Sequence, residues 1–510
     1  MKSLKILVLL TLSVHPSIAQ GIRTYSLSLA RSTRPPSNSI DALAVSGDTL
    51  WLGTSKGLGL TINGSNWQSF ANSTPFDDKG ISAVAASSGL VWAAVGYSEK
   101  KDGEFIQTGD GLNWSNDGGM TWIHVPQPVD SGTVNTITYG INQIRALAIT
   151  VRQQNITFDI ALTNGAVWIA SFAGMLRKST NSGITWERVV LPPDHLDSIS
   201  PTDTLDFDLS PAGGALGLRE NLNHRVFSVV AGSDSILWVG TAAGVNRSTD
   251  GGISWRRYSH QNQSSPISGN FVVALNEQLY QSNRVIWAAT VNATASEEQP
   301  GVSFTDDMGA TWTTTLLGER AHNIAFKDSI VYVASDRGIF RSDDYGQSWM
   351  LSGTISDQNS LQRFSLQPIY AVAVKGDTIW VGGPDGIAFT LDTPTNPFGS
   401  TWRIFRTFES VLASGNTYSY PSPFSPDEEV VRIHYAVKAN ASPVTIRIFD
   451  FAMQPVRTLI QNAPRQGFSE YDEIWDGRND KGDVITNGVY FYHIQPGDEG
   501  GSWGKIFVIR

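Results

Sequence analysis

Residues 237–255 read LWVGTAAGVNRSTDGGISW, and two kinds of local physics follow each other in them. The run 237–241 is short, apolar and β-branched, closed by a Gly, and predicts a buried strand; after a turn at 242–244, residues 245–248 predict the next one. The second half, Ser248-Thr249-Asp250-Gly251-Gly252-Ile253-Ser254-Trp255, has the spacing Ser-x-Asp-x-Gly-x-x-Trp. Asp stands where its carboxylate can accept backbone N–H bonds of its own loop, and Gly supplies a positive φ at little steric cost. The Trp then opens a further strand with a large ring to bury against a neighbouring sheet.

Degraded copies of this stretch recur. Residues 115–122 are SNDGGMTW, 305–312 TDDMGATW and 342–349 SDDYGQSW; 179–186, STNSGITW, carries Asn181 in the Asp position. Residues 61–67 are one residue short, and 390–402 carry an insertion with Pro394 and Pro397. The motif resembles the Asp box, or bacterial neuraminidase repeat, found on blades of β-propellers. That resemblance implies a structural role, turn closure on an outer rim, for Asp117, Asn181, Asp250, Asp307 and Asp344.

Seven strand pairs line up with the repeats. First strands are predicted at 40–45, 81–86, 144–149, 226–230, 271–275, 322–326 and 369–374, and second strands at LWLGT, VWAAV, VWIAS, LWVGT, IWAAT, VYVAS and IWVGG. A third strand leads into each turn and its Trp opens a fourth. Four strands repeated seven times predict a seven-bladed β-propeller over residues 20–408. Residues 21–38 are expected to add a strand that helps close the ring. The long connection 189–224 is either an excursion over one face or a floppy loop.

At 510 residues and 41% hydrophobic content the chain is long enough for more than one domain. With 37 basic and 47 acidic residues, a net charge of −10, a nucleic acid or anionic membrane is not the expected partner. Met1–Ala19 carries Lys2 and Lys5, the apolar run 6–12 and the small-x-small ending Ser17-Ile18-Ala19, the pattern of a cleaved signal peptide. No other run reaches transmembrane length, so no membrane span is expected after its removal. The chain has no cysteine, so an exported fold rests on core burial alone.

Of the 16 tryptophans, six fall in second strands and seven end the turns, so packing explains most of them; Trp114 is also assigned to packing. The sialidases that share the propeller use an arginine triad, a Tyr/Glu nucleophile pair and an acidic proton donor. The predicted first strands hold one Arg, Arg145, and one Asp, Asp41. One Arg forms no triad, and no carboxylate pair for a glycosidase can be selected among the loop residues. The eight His show no zinc spacing. Asp77-Asp78 and Asp206-Phe207-Asp208 offer oxygen ligands of the kind Ca²⁺ takes, but acidic loop residues are more often just solvated, and no cofactor is expected. A ligand site would lie where turns between second and third strands converge at one channel mouth. The candidate binding residues there are Arg145, Asp336, Arg337 and Asp385, against the plainer reading that they form surface ion pairs.

After residue 408 the pattern changes. A polar linker, 409–419, leads to Tyr420-Pro421-Ser422-Pro423-Phe424, and later come Trp475-Asp476-Gly477-Arg478, Asn487-Gly488-Val489-Tyr490 and a basic terminus. Residues 420–510 are similar to the small immunoglobulin-like β-sandwich of the flagellar hook-capping type, which also serves as a C-terminal sorting signal for type IX secretion in Bacteroidetes-like bacteria. Ser422 stands where that family usually has Asn, and Ala452-Met453-Gln454 replaces its Gly-containing turn. The two resemblances together imply an all-β, secreted or cell-surface protein of a Gram-negative bacterium, a monomer, exported by Sec and then by the type IX machinery. They favour a noncatalytic binding or interaction scaffold, as in photosystem II assembly factor-like propellers, with a carbohydrate or a surface protein as partner. The alternative is a carbohydrate-active glycoside hydrolase of sialidase or xyloglucanase kind.

Overall fold

The computed structural model describes residues 21–407 and 417–510, apart from positions 28–29, 33, 72, 78, 102, 133, 215, 361, 365–367, 428, 439–441 and 498–499. The signal peptide read at 1–19 and most of the linker read at 409–419 lie outside the described residues. The architecture is all-β. Seven antiparallel sheets, each with a four-strand meander at its heart, follow one another along the chain. Blade 1 opens at Ile40–Ser46, blade 2 at Gly80–Ser87, blade 3 at Thr157–Thr163, blade 4 at Val226–Ala231, blade 5 at Phe271–Tyr280, blade 6 at Ala321–Lys327 and blade 7 at Ala371–Lys375.

These sheets close into a ring, and side-chain packing shows it. One apolar cluster joins each blade to the next, from blades 1 and 2 (Trp51, Phe70, Ile81, Trp122) round to blades 6 and 7 (Tyr332, Ile339, Ile379, Trp402). A seventh cluster brings Ile40, Leu50 and Trp67 of blade 1 onto Ala373, Trp380 and Ile387 of blade 7. Each second-strand aromatic is buried against the turn Trp of the following blade. Trp51 meets Trp122 edge-on at 6.1 Å, Trp238 meets Trp312 at 6.3 Å, and across the closure Trp380 meets Trp67 at 6.4 Å. Edge-to-face pairs of this kind add about 0.5–1.5 kcal/mol each beyond area burial. Asn38 also pairs with the Thr407 backbone, through its carbonyl at 2.7 Å and its amide at 3.1 Å. The propeller is closed.

The Ser-x-Asp-x-Gly-x-x-Trp turns share one hydrogen-bond pattern. In blade 4 Ser248 Oγ donates to Asp250 Oδ1 (2.8 Å) and accepts from the Gly252 amide (2.9 Å). The Ser254 amide donates to Asp250 (2.8 Å), and Trp255 Nε1 donates to the Gly252 carbonyl (3.2 Å). The hydroxyl and carboxylate bonds recur around Asp117, Asp307 and Asp344, the indole bond in Trp122 and Trp349 but not in Trp312, and Asn181 substitutes through its side-chain oxygen, which accepts the Thr185 amide at 2.9 Å. In the short copy Thr61 Oγ1 still takes the Gly64 amide (2.9 Å). Gly252 is required twice over: its φ of +87° disfavours any residue with a Cβ, and a Cβ there would stand 2.6 Å from Trp168.

Two sequence expectations are corrected. The strands of residues 21–38 do not close the ring: Ala30–Ser32 and Arg23–Ser26 lie on the outer edges of blades 1 and 2, and only the Asn38 side chain reaches across the closure. The first strand of blade 3 is Thr157–Thr163, not 144–149. Asn142–Leu147 instead pairs with Val134–Tyr139 and, in parallel, with Asp208–Leu209, in a separate sheet packed on blades 3 and 4. The connection 189–224 is fixed by Asp194, which accepts the Leu222 and Asn223 amides, both at 2.8 Å.

Residues 418–510 form a second unit. Tyr418–Tyr420, Val431–Val437 and Ser469–Trp475 make one sheet; Pro455–Arg465, Ser442–Phe449, Gly488–Pro496 and Ser502–Val508 make another. Both face a core of their own around Phe424, Tyr435, Trp475 and Tyr492. No helix among the described residues is long and apolar enough to cross a membrane.

Candidate functional site

The first strand of every blade runs along the central channel, and in blades 1 to 6 its register with the second strand slips by one residue near its start. A bulge of this kind leaves one residue unpaired and re-aims its side chain. The bulged residues are Asp41, Ser82, Phe158, Phe227, Val273 and His322; Tyr370 takes the corresponding place in blade 7, its amide bonded to the Gly382 carbonyl at 2.8 Å. All seven line one cavity of about 710 Å³. They lie at the mouth on the side of the turns between second and third strands, because the start of a first strand pairs with the end of a second.

This ring is divided. Blades 3, 4 and 5 contribute Phe158, Phe227 and Val273, while blades 6, 7, 1 and 2 contribute His322, Tyr370, Asp41 and Ser82. On the apolar arc Phe227 packs at 5.4 Å from Phe158, 6.1 Å from Phe172 and 4.5 Å from Phe271. These rings open into a second cavity, about 610 Å³, whose far wall carries Phe105 and Ile106 from the hairpin of blade 2. Phe105 is 73% exposed. Arg225 lies over the Phe172 ring at 5.1 Å, its Nε donating to the Pro211 carbonyl at 2.8 Å and its guanidinium paired with Glu220. On the polar arc His322 bonds Asp336 through Nε2 (2.6 Å) and stands edge-on to Tyr370 at 5.3 Å.

Below the ring the channel carries Asp159 and Glu277, and with Asp41 above them the described lining holds three carboxylates and no Lys or Arg. Asp159 accepts the Val229 amide of the next blade (2.9 Å) and its neighbour's, Ile160 (2.8 Å). Enclosure by the channel wall outweighs both bonds and pushes its carboxyl up to about 7. Burial also raises Glu277, against the opposing Arg284 guanidinium, and the crowding of the channel mouth around Asp41 raises it too, against a bond from Ser39, although its side chain stays open to solvent. Among the described residues no group of three or more His, Asp or Glu is placed to hold a metal ion.

The four residues selected from sequence do not meet. Asp336 reaches the channel through His322. Arg337 is paired with Glu319, and Asp385 with Arg406 at 2.7 Å. Arg145 is off the channel altogether, in the added sheet, donating to the Leu216 carbonyl at 2.7 Å and facing Asp208 at 3.8 Å. Phe158 and Asp159 were missed because the third first strand was misplaced; Phe227 and Phe271 lay in first strands placed correctly, but nothing in the sequence showed that their rings converge. The two-residue turn Asn164-Gly165 directly before AVWIAS is the hairpin signal that locates the misplaced strand.

No family model matches the chain, and no curated protein matches it. Among solved structures it is similar to PorZ, described as an essential bacterial surface component of the type IX secretion system of Porphyromonas gingivalis. That match is 14% identical, covers 91% of this chain and 64% of that one, and has a TM-score of 0.40. It is similar also to YCF48 bound to D1 peptide (14% identical, 72% and 95% covered, TM-score 0.42) and to YCF48 from Cyanidioschyzon merolae (16%, 71% and 98%, 0.40). The chain thus spans less than two thirds of the PorZ chain, and likeness of this degree assigns no function.

Proposed function

We propose that this chain is a noncatalytic Asp-box propeller, secreted or held on the surface of a Gram-negative cell, that binds an apolar segment of a surface polypeptide at the channel mouth. The observation that carries the reading is the cavity in which Phe105, Phe158, Phe172, Phe227 and Phe271 converge from blades 2 to 5. A concave apolar pocket with a few polar groups at its rim is the usual form of a ligand site. Sugar platforms present Trp or Tyr faces with hydrogen-bonding groups around them; this pocket has phenylalanines, which favour aliphatic or aromatic side chains. The channel carboxylates are engaged singly, Asp159 by two amides and Glu277 by Arg284, which supports holding a ligand over breaking one. Export by Sec and then type IX secretion is supported by the leader pattern at 1–19 and by the sorting-type motifs after residue 420.

The chain from residue 20, presented to peptide and glycan arrays with labelled polysaccharides in the same wells, tests this. Peptide binding without product release, abolished by Phe227→Asp, is expected. Product release, or glycan binding indifferent to Phe227→Asp, would overturn it.

A further inference from the structure

The aromatic cavity and the axial channel are one continuous space, since Phe158 and Phe227 line both. Their chemistry differs. The first is largely apolar, with Arg225 already paired to Glu220 and Glu104 also in its lining; the second, in its described lining, holds Asp41, Asp159 and Glu277 with no Lys or Arg, Glu277 being met from outside that lining by Arg284. Low-dielectric walls around the carboxylates of Asp41 and Asp159 focus their field along the axis. We propose, resting on the reading that the mouth takes a polypeptide, that the bound segment carries a Lys or Arg side chain beside its apolar anchor and that the channel receives this cation.

Phe158 and Asp159 are consecutive, so an anchor seated on the phenylalanines sets its neighbour at the channel wall. Each Asp159 oxygen accepts one backbone N–H, which leaves lone pairs for a further donor. Asp41 stands at the rim, exposed. Arg225 over Phe172 shows that a ring of this mouth already accommodates a guanidinium on its face. A glycan lacks the charge that would match the channel, and an acidic segment would be repelled by it.

The test uses the full chain and end-blocked peptides of one sequence, an apolar anchor followed by Lys, Arg, Nε-acetyl-Lys or Glu, with a further arm whose only cation is a free α-amino group. Lys and Arg peptides are expected to bind at least about tenfold tighter than the acetyl-Lys peptide, the scale of one close charge pair. That ratio should shrink with added salt and in Asp41→Asn and Asp159→Asn; the exposed position of Asp41 keeps the test open if the second variant folds poorly. Equal affinity of Lys and acetyl-Lys peptides, or a free amine that matches the Lys side chain, overturns the inference and leaves the mouth reading in place. Failure of every peptide, or binding that survives Phe227→Asp, overturns both.

Discussion

At the residue scale the turn hydroxyl is the most economical feature of the frame. Ser248 Oγ is the hub of its turn, donating to Asp250 and accepting from the Gly252 amide. Ser248→Ala leaves that amide without its partner and is expected to cost about 1–3 kcal/mol in chemical denaturation. Gly252→Ala should cost more, since it combines a positive φ with a clash on Trp168. Asp307 and Asp344 sit at about 2: for Asp307 the Thr311 hydroxyl and amide bonds overcome an opposing burial effect, and for Asp344 the Ser348 hydroxyl and amide lead. Unfolded carboxylates of this type take protons near 3.8. The stability these two contribute is therefore whole above that pH and lost as pH falls toward 2. A second window belongs to His224, buried at the end of the 189–224 connection. Its Nδ1 accepts the Ser210 amide at 3.0 Å and its Nε2 faces the Leu191 carbonyl at 3.2 Å. Burial lowers it to about 4, so stability is whole above 6.5 and erodes as pH falls through 6.5 toward 4, by at most about 3 kcal/mol. Melting temperatures across that range should fall in the native chain and fall less in His224→Gln.

At the element scale the ring closes by packing between blades 7 and 1, with no strand shared between chain ends among the described residues. Gly382 lies so close to Ile40 that a Cβ there would come to 2.5 Å. Gly382→Val should therefore open the closure and disrupt cooperative unfolding. Removal of residues 21–33 should only uncover the outer edges of blades 1 and 2, leaving the far-UV dichroism near native with a modestly lowered Tm. The two elements that sequence misplaced have physical causes. The run QIRALAIT, 143–150, is as apolar as an inner strand, yet it serves an added sheet; the true inner strand was marked by its short Asn-Gly turn rather than by hydrophobicity. Within 21–38 one strand was expected and two form, at 23–26 and 30–32, and nothing in their residues says which edge they join.

At the scale of the whole molecule, legibility follows repetition. Trp51, Trp122, Trp238 and Trp312, with the Asp-bearing turns, recur because every blade needs the same closure and the same interblade contact, so the architecture could be read by alignment of the chain with itself. The mouth is made of what does not recur. Asp41, Ser82, Phe158, Phe227, Val273, His322 and Tyr370 occupy one structural position with seven side chains of differing chemistry, and only the closed ring shows that three of them form an apolar arc beside a polar one. Hydrogen–deuterium exchange of the full chain, with and without its tightest peptide from the array, tests that assignment most directly. Slowed exchange is expected at 104–107, 154–158, 172, 222–227 and 292–294, with the turns at 115–122, 248–255, 305–312 and 342–349 unchanged. Protection confined to those turns, or to 418–510, would contradict it.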